Sequence, residues 1–578
     1  MSLLGSCESL DDFGEAVAAV PLLREDEDRI EMMASSTLGI WFVQRWARGK
    51  MSALECLDGA SRAADNEDDH LLTKLKKLGH SNPHRDLARL LKREYGGRFP
   101  PTYECEIPIW DDTLDRSVNE KLPFLLPHET LGMMSGEEVE SWCANTSDVD
   151  ELLGEWKQRV HFAESDQPLA PVSIWGDTAP FHTGYDSILL LLFGSLSVTG
   201  RHWITCVPKS MLCRCGCNGT HSMNAIWSIV AWSFACLVAG VYPLKDHNGE
   251  DFRSAWRRSR AGMRMPLRAA VLAFRGDWPW LSQVFHMRTH SGTELCFLCK
   301  ASRSLNNPFT DVSSQATWRQ TLLTHLGFVQ EQIRSGFPVS PIFSIPGFQF
   351  EGITLDWMHM ADLGITQVAI GNVMYEMFLA LGGTITHWQE AVSQLTTYSK
   401  ASAHDLGVDW PFTRMRLDKF RGKDRKPRLR AKAANTRACL PIVLHCLQQF
   451  FPAATPAEKM REDCLSLLNQ AYLELYSWGA GSAVRLEDRI RRHLVLFLEI
   501  ARPHAQKAEW TQWRWMPKHH MVLHLAEASA KFGNPRSFWN YLDEHEIGVA
   551  ARVSESVHPK TLPYAALEKY QIWKVFKD

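Results

Sequence analysis

The stretch Val271–Lys300, VLAFRGDWPWLSQVFHMRTHSGTELCFLCK, decides how the rest of the chain is interpreted. In it a short apolar run ends at Gly-Asp (Asp277), aromatic residues follow, and a Cys-x-x-Cys pair closes the stretch. The same pattern occurs one hundred residues earlier in Pro171–Phe181, PVSIWGDTAPF, where a β-prone run ends at Asp177. A strand that ends in aspartate places its carboxylate at the carboxyl edge of a sheet, where open α/β sheets carry their chemistry. Because Mg²⁺ prefers oxygen ligands, the two carboxylates predict a magnesium site for phosphoryl transfer.

The composition is that of a folded protein with several domains. A chain of 578 residues is too long for a single core, and roughly two to four domains are expected. Its 45% hydrophobic and 22% charged residues are typical of globular proteins and exclude a disordered chain. The net charge of −3 means that any binding of nucleic acid depends on local basic patches.

The cysteines indicate an intracellular protein. The first residues, MSLLGSCESLDDFGEAV, lack the basic and apolar regions of a signal peptide. Several of the fourteen cysteines are bunched in CRCGC and CFLC, a pattern that favours metal binding over disulfides in a reducing compartment.

One segment offers a different interpretation. Asn224–Leu244 contains 21 residues without a charge and is long enough to span a bilayer. Polar residues dilute it and no basic cluster flanks it, so a helix buried in a large α/β core is favoured, and no membrane partner is expected.

The order of elements from about residue 166 is β-β-β-α-β. This is the order of the ribonuclease H-like mixed sheet, in which the first and fourth strands lie side by side, so that Asp177 and Asp277 would meet. A Gly-Asp pair after a strand is also ordinary turn chemistry, which remains the alternative. The predicted elements are Pro171–Asp177, Ser187–Val198, His202–Val207, the helix Asn224–Ala239, and Leu267–Asp277.

Four regions follow from this assignment. Residues 1–165 carry helical spacing with charged faces and no catalytic motif. Residues 166–365 form the first part of the core, and residues 366–510 have a mostly helical pattern that indicates a large insertion. Residues 511–578 close the core with an acidic helix.

A basic run inside the predicted insertion indicates a DNA contact. The segment 421–432, RGKDRKPRLRAK, has seven basic residues against one acid and is too polar for a core. Such a run neutralises phosphates independently of sequence, whereas a solvated loop is the alternative. The basic residues are Arg421, Lys423, Arg425, Lys426, Arg428, Arg430 and Lys432.

Two cysteine motifs suggest zinc. Cys213, Cys215, Cys217 and His221 supply three thiols and an imidazole within nine residues, although a loop of reduced cysteines would look the same.

Cys296-x-x-Cys299 has better spacing but is half of a site. The candidates for completing this site are His286, His290 and the distant His359. Three later histidines, His519, His520 and His524, could also be metal ligands, although a packed aromatic segment is the favoured interpretation of that stretch. His359 belongs to the pair Asp356-x-x-His359, whose two members lie one helical turn apart. The pair could support a metal or active site, but an N-cap aspartate with a core histidine is favoured.

A third carboxylate is expected from the predicted helix in 534–554, NPRSFWNYLDEHEIGVAARVS. It contains Asp543, Glu544 and Glu546, which could equally lie on the solvated face of an amphipathic helix. Of these acids, Glu544 fits the apolar spacing best and Glu546 is the alternative.

Over about residues 165 to 560 the chain resembles the cut-and-paste DNA transposases with a ribonuclease H-like DDE core, close to the CACTA, Plavaka and Kyakuja–Dileera–Zisupton group. The matching motifs, in order, are IWGDTAPF, FRGDWPWL with CFLC after it, DWMH, and the tail PKHH…FWNYLDEHE. An N-terminal DNA-binding zinc finger, which many transposases use, is not recognisable.

The resemblance implies a nuclear enzyme that cleaves and joins DNA at transposon ends and target sites. Asp177, Asp277 and Glu544 would hold two Mg²⁺ or Mn²⁺ ions, with self-association into a homo-oligomer left open. The first alternative is a catalytically inactive, zinc-stabilised DNA- or chromatin-binding protein on the same scaffold. The second is a membrane protein anchored by Asn224–Leu244.

Overall fold

The computed structural model describes residues 38–63, 69–163, 165–181, 186–422, 424–507 and 509–577. The chain divides into two compact units. Of the described residues, the sheet unit comprises those within 38–287, Thr324–Thr354 and those within 540–577, and the helical unit comprises those within Arg288–Leu323 and Leu355–Trp539. The described residues are mixed α/β with helix predominant.

The sheet unit contains a hairpin and a four-stranded mixed sheet. The strands are β1 (Tyr103–Asp111) and β2 (Arg116–Phe124) in the hairpin, and β3 (Leu169–Phe181), β4 (Asp186–Ser195), β5 (Arg201–Pro208) and β6 (Arg268–Arg275) in the sheet. The sheet order is β5-β4-β3-β6, with β3–β4 and β4–β5 antiparallel and β3–β6 parallel.

The predicted order of elements is confirmed, and the first and fourth of the predicted strands are neighbours. A complete ribonuclease H-like sheet of five strands is not present among the described residues. The end of β3 also differs from the prediction, because the strand continues past Asp177 to Phe181. Its pairing with β6 stops at Trp175, whereas its pairing with β4 persists to Phe181.

The hairpin corrects the prediction that residues 1–165 are helical throughout. Side chains along β1 alternate between buried and exposed, with Tyr103, Cys105 and Ile107 inside and the two glutamates between them outside. This two-residue period is the signature of a half-buried strand.

The two faces of the four-stranded sheet are covered by different helices. On one face the helix Thr220–Ala239 packs Trp227 against Phe274, with ring centroids 5.4 Å apart. On the other face Trp203 stacks on Tyr570 at 4.5 Å, within a cluster formed with the first and last helices of the unit. Burial of each such ring contributes about 2–3 kcal/mol, so both faces are strongly held.

Two helical segments of the described chain, Thr220–Ala239 and Met358–Ala380, are long and apolar enough to cross a membrane by length and composition. More than half of the apolar window of each is buried within the protein. This is the burial that the core-helix interpretation of Asn224–Leu244 requires.

Helices make up the rest of both units. Those of the sheet unit are Leu38–Ala47, Ala53–Arg62, His70–Lys76, Pro83–Tyr95, Pro127–Leu131, Gly136–Cys143, Ser147–Arg159, Thr220–Ala239, Ala255–Arg258, Trp278–Phe285, His325–Arg334, Tyr541–Glu555 and Leu562–Lys577. Those of the helical unit are a π-helix at Met358–Thr366, then Gln367–Ala380, Gln389–Asp405, Leu417–Phe420, Ala433–Phe450, Pro456–Tyr476, Ser482–Ala505 and Pro517–Phe532. The predicted helical character of residues 366–510 is therefore confirmed.

Candidate active site and candidate metal centres

Asp177 and Asp277 follow paired positions on adjacent parallel strands. Trp175 pairs with Arg275, and each aspartate comes two residues after its member of that pair. Both carboxylates are half-buried. Asp277 caps the helix Trp278–Phe285 and accepts a hydrogen bond from the Trp280 amide at 2.6 Å. The strand register therefore places the two aspartates at the same edge of the sheet.

The glycine before each aspartate makes room for one tryptophan. A Cβ atom on Gly176 would lie 2.5 Å from the Trp280 ring, and a Cβ atom on Gly276 would lie 2.4 Å from it. Neither glycine has a positive φ, so close approach and not turn conformation requires them. The repeated Gly-Asp pattern thus corresponds to a single indole packed against β3 at Gly176 and just beyond the end of β6 at Gly276.

The acidic helix Tyr541–Glu555 is held on the sheet by Asp543. This fully buried carboxylate accepts hydrogen bonds from Arg201 at 2.8 Å and from Arg275 at 3.0 Å. Burial alone would raise the pKa of Asp543, but the two guanidinium groups hold it below its ordinary value. Because Arg275 lies two residues before Asp277, the first turn of this helix is tied to the end of β6.

The other two acids of this helix have different surroundings. Glu546 is buried and accepts a hydrogen bond from the indole N–H of Trp203 at 2.8 Å, which gives it a structural role. Glu544 is half-buried and directly follows the anchored Asp543. Of the three acids, Glu544 is therefore the least deeply buried.

The three carboxylates do not form one tight ligand group. In the described part of the chain, two sets of three or more potential ligand side chains have all their ligand atoms within 4.8 Å of one another, and both are Cys/His clusters. Asp177, Asp277 and Glu544 are not such a set. A site with two ions about 3.5–4 Å apart spreads its outer ligands more widely than a single-ion site.

The first Cys/His cluster consists of Cys296, Cys299, His520 and His524, all of them buried in the helical unit. The Cys299 sulfur lies 3.3 Å from Nε2 of His520 and 3.4 Å from Nε2 of His524, and these two nitrogens are 3.0 Å apart. Ligands in a tetrahedron around zinc, with bonds of about 2.3 Å to sulfur and 2.0–2.1 Å to nitrogen, lie about 3.3–3.8 Å apart. The cluster could therefore hold a metal such as zinc.

Neighbouring groups orient these four side chains. Backbone amides of Leu298 and Ala301 donate to the sulfurs of Cys296 and Cys299 at 3.3 and 3.4 Å. The buried ring of Trp318 packs edge-on against both imidazoles, with centroids 4.7 and 4.8 Å away. Amide donors to sulfur and packed imidazoles are the outer-shell features that hold metal ligands in place.

The two thiols of this cluster share one favourable site for a negative charge. Burial would raise the pKa of Cys296, but the Cys299 thiol and the nearby His524 bring it well below its ordinary value, whereas burial and the Cys296 thiol raise the pKa of Cys299. Burial lowers the pKa of His520, which keeps its imidazole neutral. A thiolate and a neutral imidazole are the forms that bind zinc.

The cluster corrects the predicted completion of the Cys-x-x-Cys pair. His359 is outside it, because its Nδ1 is hydrogen-bonded to Asp356 at 2.6 Å, and Asp356 also accepts from the amide of His359. His286 instead stacks on Phe337 with centroids 4.7 Å apart, and His290 is exposed. The sequence signal at His520 and His524 is their His-x-x-x-His spacing, which aligns two imidazoles on one helix face but does not by itself link them to Cys296 and Cys299.

The second Cys/His cluster consists of Cys213, Cys215, Cys217 and His221, as predicted, at the start of the helix Thr220–Ala239. Nδ1 of His221 lies 3.4 Å from the sulfur of Cys215 and 3.8 Å from that of Cys213. Burial would raise the pKa of Cys213, but hydrogen bonds from Ser117 and Cys215 lower it to about 6. This cluster is partly exposed and could also hold a metal.

The basic run folds as an anchored turn in the helical unit. Its Lys423 lies outside the described residues. The buried Leu429 donates its amide to the carbonyl of Gln367 at 2.8 Å, and Arg428 donates to the side chain of the same glutamine. Arg425 and Lys426 face Glu509 and Asp424, respectively, whereas Arg430 and Lys432 are exposed.

No protein-family model matches this chain, and no curated protein matches its sequence.

Proposed function

We propose that this protein is a transposase or a transposase-derived protein that cleaves and joins DNA phosphodiesters with divalent metal ions. The observation that supports the proposal is the parallel pairing of β3 and β6, in which Trp175 pairs with Arg275 and Asp177 and Asp277 each follow two residues later. Carboxylates that follow paired positions on adjacent parallel strands are suited to hold hard cations.

In the proposed site Asp177 and Asp277 would hold Mg²⁺ or Mn²⁺, and Glu544 would complete the ligand set. Bound ions would supply charge neutralisation for attack on a DNA phosphate by water or a 3′-hydroxyl. The chain's own contribution is positioning. The Asp277 carboxylate is fixed by its cap to the Trp280 amide, and Glu544 is fixed by the ion pairs of its neighbour Asp543.

Zinc at the cluster of Cys296, Cys299, His520 and His524 would be structural. All four potential ligands are protein side chains and are buried, which leaves no coordination position for a substrate. The ion would join the segment Arg288–Leu323 to the helix Pro517–Phe532 within the helical unit.

Cleavage is tested by nicking of supercoiled plasmid DNA with Mg²⁺ or Mn²⁺. Asp177→Asn, Asp277→Asn and Glu544→Gln are each expected to reduce the rate at least about a hundredfold, because an ion ligand provides several kcal/mol of transition-state stabilisation. Asn at position 277 still caps the helix, so folding is preserved.

The matched control is Asp115→Asn, because Asp115 sits in a hairpin turn with φ of 49°, which asparagine adopts readily. Nicking that persists in all three site variants would refute the proposal. Wild-type protein that binds DNA without nicking it would instead favour the catalytically inactive DNA-binding alternative.

Zinc is tested by elemental analysis of the purified chain. Wild-type protein is expected to contain at least one equivalent, and Cys296→Ser with Cys299→Ser should remove one. Cys439→Ser, at a buried thiol of the same unit that belongs to neither cluster, should leave the metal content unchanged. Equal zinc in all these proteins would exclude this cluster as the binding site.

A further inference from the structure

A deep pocket in the helical unit is lined by basic residues from four separate stretches of chain. Its volume is about 1080 Å³. Seven of its lining residues are lysine or arginine and one, Asp424, is acidic. The basic run supplies part of this set, while Arg303, Lys419 and Arg514 come from elsewhere in the sequence. The fold thus gathers positive charge that the sequence alone did not show as one site.

Much of this charge is available to a ligand. Among the described residues, Arg430, Lys432 and Arg514 have no ion pair with an acid. Lys426 is paired with Asp424 at 3.2 Å, which uses the single acid of the lining. An excess of uncompensated cations in a concave surface focuses a positive potential that attracts phosphate groups.

The backbone of the pocket wall is hydrogen-bonded to a neighbouring helix and adds a second anion-binding feature. Leu429 is buried between its charged neighbours and fixes the wall through its bond to Gln367. The 18-residue helix Ala433–Phe450 begins at the wall, and its N-cap residue Lys432 makes no side-chain capping hydrogen bond. The free amides and the dipole at a helix N-terminus favour an anion there.

We infer that this pocket binds single-stranded DNA through its phosphates. The identity of the strand as DNA rests on the proposed function. A duplex displays its phosphates on the outside of a stiff cylinder, whereas a flexible single strand can enter a concavity and contact cations on several walls. Phe412 and Trp515 also line the pocket and provide apolar surface for a base.

The experiment measures binding of a fluorescent oligothymidylate of about 16 nucleotides by anisotropy, without added Mg²⁺ or Mn²⁺ and across a salt series. The test variant combines Arg430→Gln, Lys432→Gln and Arg514→Gln. Its affinity is expected to fall at least about tenfold, and the slope of log K against log salt to fall by about 2, since each lost contact to a single strand removes about 0.7.

The matched control combines Lys459→Gln, Arg492→Gln and Arg502→Gln, three exposed cations of the same unit outside the pocket. Circular dichroism would show that both variants fold. Equal affinities of the two variants for the oligonucleotide would overturn the inference. So would a duplex of the same length that binds as tightly with the same salt dependence, or displacement of the oligonucleotide by ATP at equal phosphate concentration.

This experiment separates the inference from the proposed function, because binding without added Mg²⁺ or Mn²⁺ does not depend on the proposed carboxylate site. If Asp177→Asn abolishes nicking and leaves oligothymidylate binding intact, both the proposed function and the inference about the pocket stand. If wild-type protein does not nick DNA but binds the oligonucleotide through the pocket, the proposed function fails and the inference stands.

Discussion

Three buried charges hold the acidic helix on the central sheet. Asp543, Arg201 and Arg275 are at most 7% exposed, and Arg275 also donates to the hydroxyl of Ser173 at 3.1 Å. Removal of charges from water is costly, and only close pairing with further hydrogen bonds offsets it. The arrangement therefore stabilises one position of the helix, and with it the position of Glu544.

Asp543→Asn is expected to destabilise the protein by about 3–5 kcal/mol, because two buried guanidinium groups lose their counter-charge. The depressed pKa of Asp543 means that its contribution is complete above the unfolded-state value of about 3.9 and is lost as pH falls below it. Urea denaturation followed by tryptophan fluorescence would measure the loss.

The control is Asp112→Asn, at a 73% exposed carboxylate that pairs with Arg214 on the surface of the same unit. Its change in unfolding free energy should stay within about 1 kcal/mol, as for other surface pairs. Similar losses of unfolding free energy in the two variants would show that the buried network stabilises the protein no more than a surface ion pair does.

At the scale of elements, Trp280 packs against β3 within the strand and against the end of β6. Its indole fills the space that side chains at Gly176 and Gly276 would occupy. Asp277 is the N-cap of the helix that carries this indole, so the end of β6, the start of the helix and the Asp277 carboxylate lie next to one another.

Gly276→Ala should destabilise the protein by about 1–3 kcal/mol, the usual effect of overpacking a core. Gly154→Ala is a control of opposite sign. Gly154 lies within the helix Ser147–Arg159, where a Cβ atom meets nothing within 4 Å, so alanine should stabilise by about 0.5–1 kcal/mol. Thermal unfolding of both variants measures these shifts, and a neutral Gly276→Ala would contradict the packing argument.

The elements that sequence predicted best are those with a local signal. The apolar runs gave the strands around Asp177 and Asp277, and the long uncharged segment gave the core helix. The β1–β2 hairpin was missed because the surrounding charged helices dominated the interpretation of residues 1–165, although Tyr103, Cys105 and Ile107 alternate clearly.

The partners in the metal cluster could not be chosen from spacing alone. Cys299 and His520 are more than two hundred residues apart, and only tertiary packing decides between His359 and His520. The basic pocket is a similar case, because Arg303 and Arg514 carry no sequence signal that links them to the basic run.

At the scale of the whole molecule, each unit contains a buried neutral histidine. His128 in the sheet unit bonds through Nδ1 to the Ser233 hydroxyl at 2.8 Å, and burial lowers its pKa to about 3. His493 in the helical unit bonds to the carbonyl of Cys464 at 2.8 Å, and burial lowers its pKa to about 4. Burial therefore favours the uncharged form of both imidazoles in the folded protein.

These histidines predict a pH dependence of unfolding. Because each folded pKa lies below the unfolded value of about 6.5, the unfolded chain binds more protons below that pH. Stability should therefore be complete above about pH 6.5 and fall by up to about 1.4 kcal/mol per pH unit for each histidine as pH drops toward 4. His493→Gln should flatten this slope for the helical unit, whereas His404→Gln, at a 91% exposed side chain of the same unit, should leave it unchanged. Urea denaturation between pH 7 and 4.5 would measure both slopes, and equal slopes in the two variants would rule out His493 as their source.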